Sequence, residues 1–310
     1  MSTVRARSAG PAAATAGDLP AREFDYTQQD FERVRRLIHA RVGIALNDSK
    51  QNMVYNRLVK RLRALRLGGV AAYLALLDDA QNAEWQHFVN ALTTNLSHFF
   101  REEYHFPILV EHVKALGRSP VRLWSAAAST GEEPYSMAIS MCEAYGSLQP
   151  PVSILATDID TAVLEGAQKG VYALERVEQM SAERLKRYFL RGSGANAGFA
   201  RVRPEVARLV EFRKLNLSDS RWSFGETHGE TRGETRGELR RAPFDAVFCR
   251  NVMIYFDKPT QYEVLKRIAA VLAPDGLLFA GHSESFLHAA ELFKPVGKTV
   301  YRRAAQAGGR

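Results

Sequence analysis

Residues 124–136, WSAAASTGEEPYS, place two carboxylates, Glu132 and Glu133, directly behind Gly131 in what reads as a buried strand, a small-residue turn and a helix. In an α/β fold such a turn is the usual seat of a nucleotide-like ligand. A pyrophosphate asks for several glycines and bare backbone N–H groups there, whereas this turn offers one glycine and two negative charges. The helix is expected to open at Pro134, where a missing N–H leaves no bond unmade. Such a turn suits a ligand that carries positive charge and no phosphate.

Other polar residues recur at comparable places. Apolar segments at 121–125, 154–157, 209–215, 244–248 and 277–281 alternate with helical patterns, which predicts parallel strands joined by right-handed crossovers. Ligands of such sheets bind outside the carboxyl ends of the strands. Those ends carry Asp158 and Asp160 in ILATDID, Asn216 in KLNLSD, and Arg250 with Asn251 in FDAVFCRN. An acid ending the second strand is placed to accept hydrogen bonds from ribose hydroxyls. S-adenosylmethionine, with a ribose, an ammonium and a sulfonium but no phosphate, therefore suits these residues better than a nicotinamide or flavin dinucleotide does. Acids here also complement a helix dipole or cap the next helix, and the residues alone leave both uses open.

The elements that must position these residues follow from periodicity. The chain has 310 residues, 46% hydrophobic and 25% charged, which is ordinary globular composition with room for two domains. The Ala/Gly/Pro-rich segment 1–21 is expected to be a disordered tail. It has no signal-peptide apolar run, and the chain shows no stretch long enough for a membrane span, so a cytoplasmic location without membrane insertion is expected. Residues 22–95 read as a helical domain. Thr27 and Asp30 form a capping signal ahead of Phe31, Val34, Leu37 and Ile38, and Asp48 is expected to cap a second helix. Val54, Leu58, Leu62 and Leu65 form the apolar stripe of that second helix, with Arg57, Lys60, Arg61 and Arg63 largely opposite, and helical patterns follow at 71–77 and 84–92. Residues 96–306 carry the sheet. Within them, about 170–208 reads as an inserted antiparallel subdomain, with a hairpin of 188–192 and 199–203 around SGANAG. The repeat GETHGETRGETRGELRR, 225–241, reads as a low-complexity solvated loop. The two cysteines, Cys142 and Cys249, offer neither a disulfide framework nor a metal site and read as small buried residues. A net charge of +8 admits acidic partners without choosing one.

Five segments, TTNLSHFFRE (93–102), WSAAASTGEEPYS, ATDIDT (156–161), FCRNVMIYF (248–256) and PDGLLFAGHSES (274–285), together resemble the chemotaxis receptor methyltransferases of the CheR family, over residues 25 to 303. The resemblance implies a Rossmann-like S-adenosylmethionine-dependent sheet with an inserted antiparallel β-subdomain behind a small all-α domain. It implies methyl transfer to glutamate side chains in the cytoplasmic helices of chemoreceptors, giving methyl esters. Cofactor contacts are implied for Asn95, Ser97, Arg101, Glu132, Asp158, Asn216, Leu217, Arg250 and Asn251, and Tyr255 matches a tyrosine near the methyl-transfer centre. Arg101, able to hold a carboxylate by two parallel hydrogen bonds, is with Tyr255 the candidate for orienting the reacting groups. No metal is implied. The helical domain contributes to substrate recognition in the family, which points to Arg57, Lys60, Arg61 and Arg63. Gly192, Gly194 and Gly198 resemble the loop of members that tether to a receptor C-terminal peptide, and a monomer suffices. A nucleic-acid methyltransferase fits less well, because the basic residues are not interleaved with aromatics and acids crowd the cleft. A silent cofactor-binding regulator is disfavoured by the intact motif positions.

Overall fold

The computed structural model describes residues 22–222, 224 and 243–304; the tail 1–21 and the repeat 225–241 lie outside the described residues. Helix α1 (Gln28–Val42) begins at a reciprocal cap: Thr27 Oγ1 accepts from the Asp30 N–H at 3.1 Å, and the Asp30 carboxylate accepts from the Thr27 N–H at 2.8 Å. Helices α2 (Gln51–Leu65), α3 (Val70–Leu76) and α4 (Glu84–Leu92) pack with it around Phe31, Val34, Ile38, Leu58, Tyr73 and Phe88. Asp48 caps nothing; it begins a 3₁₀ turn ahead of α2 and pairs with Arg35 at 2.9 Å. The α2 stripe is buried through Leu62, but Leu65 is 38% exposed because the helix there has run past the core.

The cations of α2 do not form one free face. Arg61 makes a two-pronged bond to the buried carboxylate of Glu84, at 2.7 and 2.8 Å, and Tyr73 donates to the same group. Arg57 donates to the carbonyls of Ala91 and Thr93. Arg63 pairs with Glu23, which leaves Lys60 exposed and without an ion-pair partner among the described residues.

The remaining chain runs α5 (His105–Leu116), β1 (Val121–Ser125), α6 (Glu132–Tyr145), β2 (Val152–Asp158), α7 (Thr161–Lys169), β3 (Val171–Ala173), α8 (Leu174–Val177), α9 (Ala182–Tyr188), β4 (Phe189–Arg191), β5 (Phe199–Val202), α10 (Pro204–Ala207), β6 (Val210–Lys214), β7 (Phe244–Cys249), α11 (Lys258–Val271), β8 (Leu272–Ala280), β9 (Phe293–Gly297) and β10 (Val300–Arg303). The large sheet has the order β6-β2-β1-β7-β8-β10-β9, parallel from β6 to β8, with β10 and β9 antiparallel at one edge. Alternation along the strands feeds two cores. Leu123, Ile154 and Phe248 meet α5 and α6 on one face, while Trp124, Leu155 and Val247 meet α11 on the other. Both cysteines are buried and free within these cores.

Further features of the sheet domain differ from the sequence expectation. The helix after β1 opens at Glu132, with Pro134 still inside its first turn where no bond is lost. The inserted subdomain is a three-stranded sheet, β3-β5-β4, whose β3 is too short to show a pattern. Strand β8 begins at Leu272, because the Pro274-Asp275-Gly276 stretch is carried as an irregularity opposite Phe244 and Ala246.

Replacing Arg61 by Ala is expected to lower the unfolding free energy by about 3 kcal/mol, since it leaves the Glu84 charge buried and unpaired. Denaturant unfolding of the variant checks this; a loss below about 1 kcal/mol, the range of exposed pairs, would refute the structural role.

Candidate functional site

At the carboxyl ends of the parallel strands, β1 hands the chain to β2 on one side and has β7 on the other, so the crossovers diverge at the β1–β7 boundary. A cavity opens there, as expected at such a switch point. It has an empty volume of about 990 Å³, part of it open to solvent, and takes its walls from the helical domain as well as the sheet. Asn95, Ser97, Arg101, Asp158, Asn216, Leu217, Arg250, Asn251 and Tyr255 all line it.

Glu132 does not. Its side chain is fully buried against Arg176 and accepts from Thr130 Oγ1 at 2.7 Å. The acid of the turn that lines the cavity is Glu133. One residue rotates a side chain about 100° around a helix axis, which turns Glu132 toward the inserted subdomain and Glu133 toward the strand ends. Glu133 accepts from Ser125 Oγ at 2.7 Å and from Arg250 Nη1 at 3.0 Å. Burial pushes its carboxyl up, opposed by Arg250 and Ser125.

The end of β2 is organised by two carboxylates with different work. Asp158 accepts from the Ser129 N–H at 2.8 Å and the Asp160 N–H at 3.0 Å. Each oxygen thus has a lone pair left for a ligand hydroxyl. Burial raises its pKa, with the Asp160 charge in the same direction, against backbone N–H groups of Asp160, Ser129 and Ile159. Asp160 caps α7 through the Ala162 and Val163 N–H groups, and its other oxygen accepts from Thr93 Oγ1 at 2.7 Å and Asn95 Nδ2 at 2.8 Å. The segment carrying Asn95, Ser97 and Arg101 is thereby fastened to the sheet.

Arg250 directly follows β7 and is almost completely buried. It pairs with Glu133, lies 3.4 Å from the Glu102 carboxylate and donates to the Arg101 carbonyl. Its Nε is buried with no partner among the described residues. Glu102 is held by more than that one charge. Burial works to raise its pKa, yet Arg250 and hydrogen bonds from the His282 backbone, the His282 side chain and Asn251 bring it down to about 2. Beyond β7, Asn251 has φ +57, and the turn that follows delivers Tyr255. Glu284 fixes this turn by accepting from the N–H groups of Asn251, Val252, Met253 and Gly281 at 2.6 to 3.0 Å. A Cβ at Gly281 would stand 2.4 Å from Asn251 Nδ2, so no larger residue fits there without displacing it. Asn216 donates to the Arg41 carbonyl at 3.1 Å, and the Tyr255 carbonyl accepts from the Ala45 N–H at 2.8 Å.

Glu102 and Glu284 were not among the sequence-derived site residues, whereas Glu133 and Asp160 were noted at the turn and the strand end while the resemblance implied contacts only for Glu132 and Asp158. Their signal was present but ambiguous: Glu102 and Glu284 belong to the motifs 93–102 and 274–285, and nothing in their spacing tells a backbone clamp from a surface acid.

The donor set fits the charge pattern of S-adenosylmethionine. Asp158 suits ribose hydroxyls, Glu133 an ammonium, and the orphaned Arg250 Nε, which costs about 1–3 kcal/mol if left unpaired, suits a carboxylate. Ile159 and Leu217 supply apolar wall. A sheet with a cavity of this charge pattern at its switch point fits the class of S-adenosylmethionine-dependent methyltransferases. The all-alpha domain of the CheR methyltransferases matches residues 29–93, and their SAM binding domain matches residues 95–227 and 235–302. The chain belongs to the CheR methyltransferase family, and S-adenosylmethionine is its cofactor. It is 55% identical over 284 residues to chemotaxis protein methyltransferase 2 of Pseudomonas aeruginosa, covering 91% of this chain and 95% of that one. It is 50% identical over 272 residues to the chemotaxis protein methyltransferase of Salmonella typhimurium, covering 87% and 88%, and 48% identical over 272 residues to that of Escherichia coli, covering 87% and 89%.

Because Glu102 is harder to protonate in the folded chain than its ordinary value of 4.5 allows, its contribution is present above that pH and is lost as pH falls toward about 2. The unfolding free energy of the parent is expected to fall more steeply over that interval than that of Glu102→Gln, which has no carboxyl to titrate. Equal slopes in acid unfolding would remove Glu102 from the cluster.

Proposed function

We propose that this methyltransferase of chemotaxis transfers the methyl group of S-adenosylmethionine to glutamate side chains in the cytoplasmic helices of chemoreceptors, forming methyl esters. The observation that carries this reading is Arg101. It lines the cofactor cavity, donates to the Leu96 carbonyl at 2.8 Å and forms no ion pair with any described residue, so a cation is left for an incoming carboxylate. Arginine holds a carboxylate by two parallel hydrogen bonds.

Asp158 would hold the ribose, Asn216 and Leu217 the base, and Glu133 with Arg250 the amino-acid end, with Asn95, Ser97 and Asn251 completing the wall. Bound there, the cofactor supplies an electrophilic methyl group on a cationic sulfur. A glutamate with pKa ~4.3 is already an anion at neutral pH, so no residue of this chain has to remove a proton. The work left to the protein is alignment and exclusion of water. Arg101 and Tyr255 orient the carboxylate, while Ile44, Val252 and Phe256 form the apolar wall.

Substrate helices would meet the helical domain through Lys60 and Arg63, the exposed cations of the α2 group; Arg57 and Arg61 act inside the domain. A receptor C-terminal peptide would add to an outer strand of the β3-β5-β4 sheet. Gly194 and Gly198, with φ +56 and +90, shape the loop between β4 and β5, and a Cβ on Gly192 would collide with the Asn196 carbonyl. The reading includes a monomer in the cytoplasm, and no helix among the described residues is long and apolar enough to cross a membrane.

The test mixes the full chain, methyl-labelled S-adenosylmethionine and a chemoreceptor cytoplasmic fragment. Label released as methanol by mild base identifies a carboxyl ester; base-stable label, or label in nucleic acid, rejects the substrate assignment. Arg101→Ala is expected to reduce incorporation at least about 100-fold with an unchanged melting temperature, and near-normal turnover would take Arg101 out of the mechanism.

A further inference from the structure

The inserted subdomain reaches the cofactor turn through one side chain. Arg176, in α8, sends Nη2 to the Glu132 carboxylate, to Thr130 Oγ1 at 3.0 Å and to the Ser97 carbonyl at 3.4 Å. Those three groups belong to the start of α6, to the turn before it and to the segment that carries Asn95 and Arg101. Glu132 has no exposed surface, and Arg176 is its ion-pair partner. Tyr172 of β3 adds a bond from its hydroxyl to the Thr130 carbonyl at 2.8 Å. The turn is packed so closely that a Cβ at Gly131, φ +94, would lie 2.8 Å from both that hydroxyl and Ala167 Cβ.

We propose that Arg176 is a positioning residue for the cofactor: by clamping Ser97, Thr130 and Glu132 together it sets the spacing of two neighbouring segments that both line the cavity, and so sets cofactor affinity. The proposal rests on the assignment of that cavity to S-adenosylmethionine. Arg176 does not line the cavity and acts through groups beside it. Without its guanidinium, Glu132 holds a buried charge next to Glu133, and the turn must shift to hydrate it. The inserted subdomain thereby becomes a supporting wall of the site.

A second arginine of the subdomain supplies the control. Arg184 of α9 makes a two-pronged bond to Glu143, near the far end of the same α6, at 2.8 and 2.9 Å, and its guanidinium lies 4.1 Å from the Phe100 ring centre. It fastens the subdomain to the same helix without touching the turn. Full-length parent, Arg176→Met and Arg184→Met are compared for melting temperature and for binding of S-adenosylhomocysteine by calorimetry, which needs no receptor and no turnover. The expected result is binding roughly tenfold weaker in R176M, one charged hydrogen bond's worth, and within about twofold of parent in R184M, although both variants melt earlier. R176M binding within about threefold of parent overturns the proposal. So does an equal loss in R184M, which would mean that any loosening of the subdomain suffices. A parent chain that binds no S-adenosylhomocysteine overturns the cavity assignment, and the proposal with it.

Discussion

The site depends on a guanidinium that has almost no contact with solvent. Arg250 is 1% exposed, and the two carboxylates around it, Glu102 and Glu133, are 9% and 13% exposed. Charges so poorly hydrated are tolerable only together, since removing one partner of such a group strands the others at several kcal/mol. Each comes from a different piece of chain: Arg250 from the end of β7, Glu133 from the start of α6, Glu102 from the segment before α5. Their mutual attraction fixes where three segments converge, and the cavity is the space left between them. Glu284 extends the same logic to neutral partners, holding a turn with a left-handed Asn251 by four backbone N–H groups.

The helical domain is tied to this convergence by polar bonds at the cavity rim. Gln86 donates to the Ile159 carbonyl at 3.0 Å, Asn90 to Thr161 Oγ1 at 3.1 Å, and Thr93 and Asn95 to Asp160. On the opposite side Ile44 bridges to Phe256, and His39 meets Asp257 at 2.9 Å. Asp160 contributes twice, since the oxygen that does not cap α7 receives Thr93 and Asn95. A helix cap and a domain contact therefore share one carboxylate, and neither can be altered alone.

Much of this was legible in the sequence because strand ends are legible. Alternation of apolar segments with helical patterns located β1, β2, β6 and β7, and residues just past an apolar segment fall at a sheet edge whatever the details of packing. Asp158, Asn216, Arg250 and Asn251 were found that way. What the pattern lacks is rotation and partnership. At the start of α6 the choice between Glu132 and Glu133 is a matter of about 100°, which only the tight turn at Gly131 and the arginine in α8 decide. On α2, spacing shows that Arg57 and Arg61 lie away from the apolar stripe, but not that carbonyls at the end of α4 and just past it, and a buried glutamate of α4, await them. The hairpin of β9 and β10 was missed because FKPVG carries a proline and a glycine, shows no alternating pattern and is buried only at Phe293.

The backbone bond from Ala45 to the Tyr255 carbonyl, with Val42 and Ile44 in the cavity wall, has a thermodynamic consequence. A ligand filling that space contacts both domains and stabilises the state in which they are joined by RT ln(1 + [L]/Kd). That free energy is available to neither domain alone. The cofactor is thus part of the cohesion between helical domain and sheet, and its departure loosens the molecule along the seam between them.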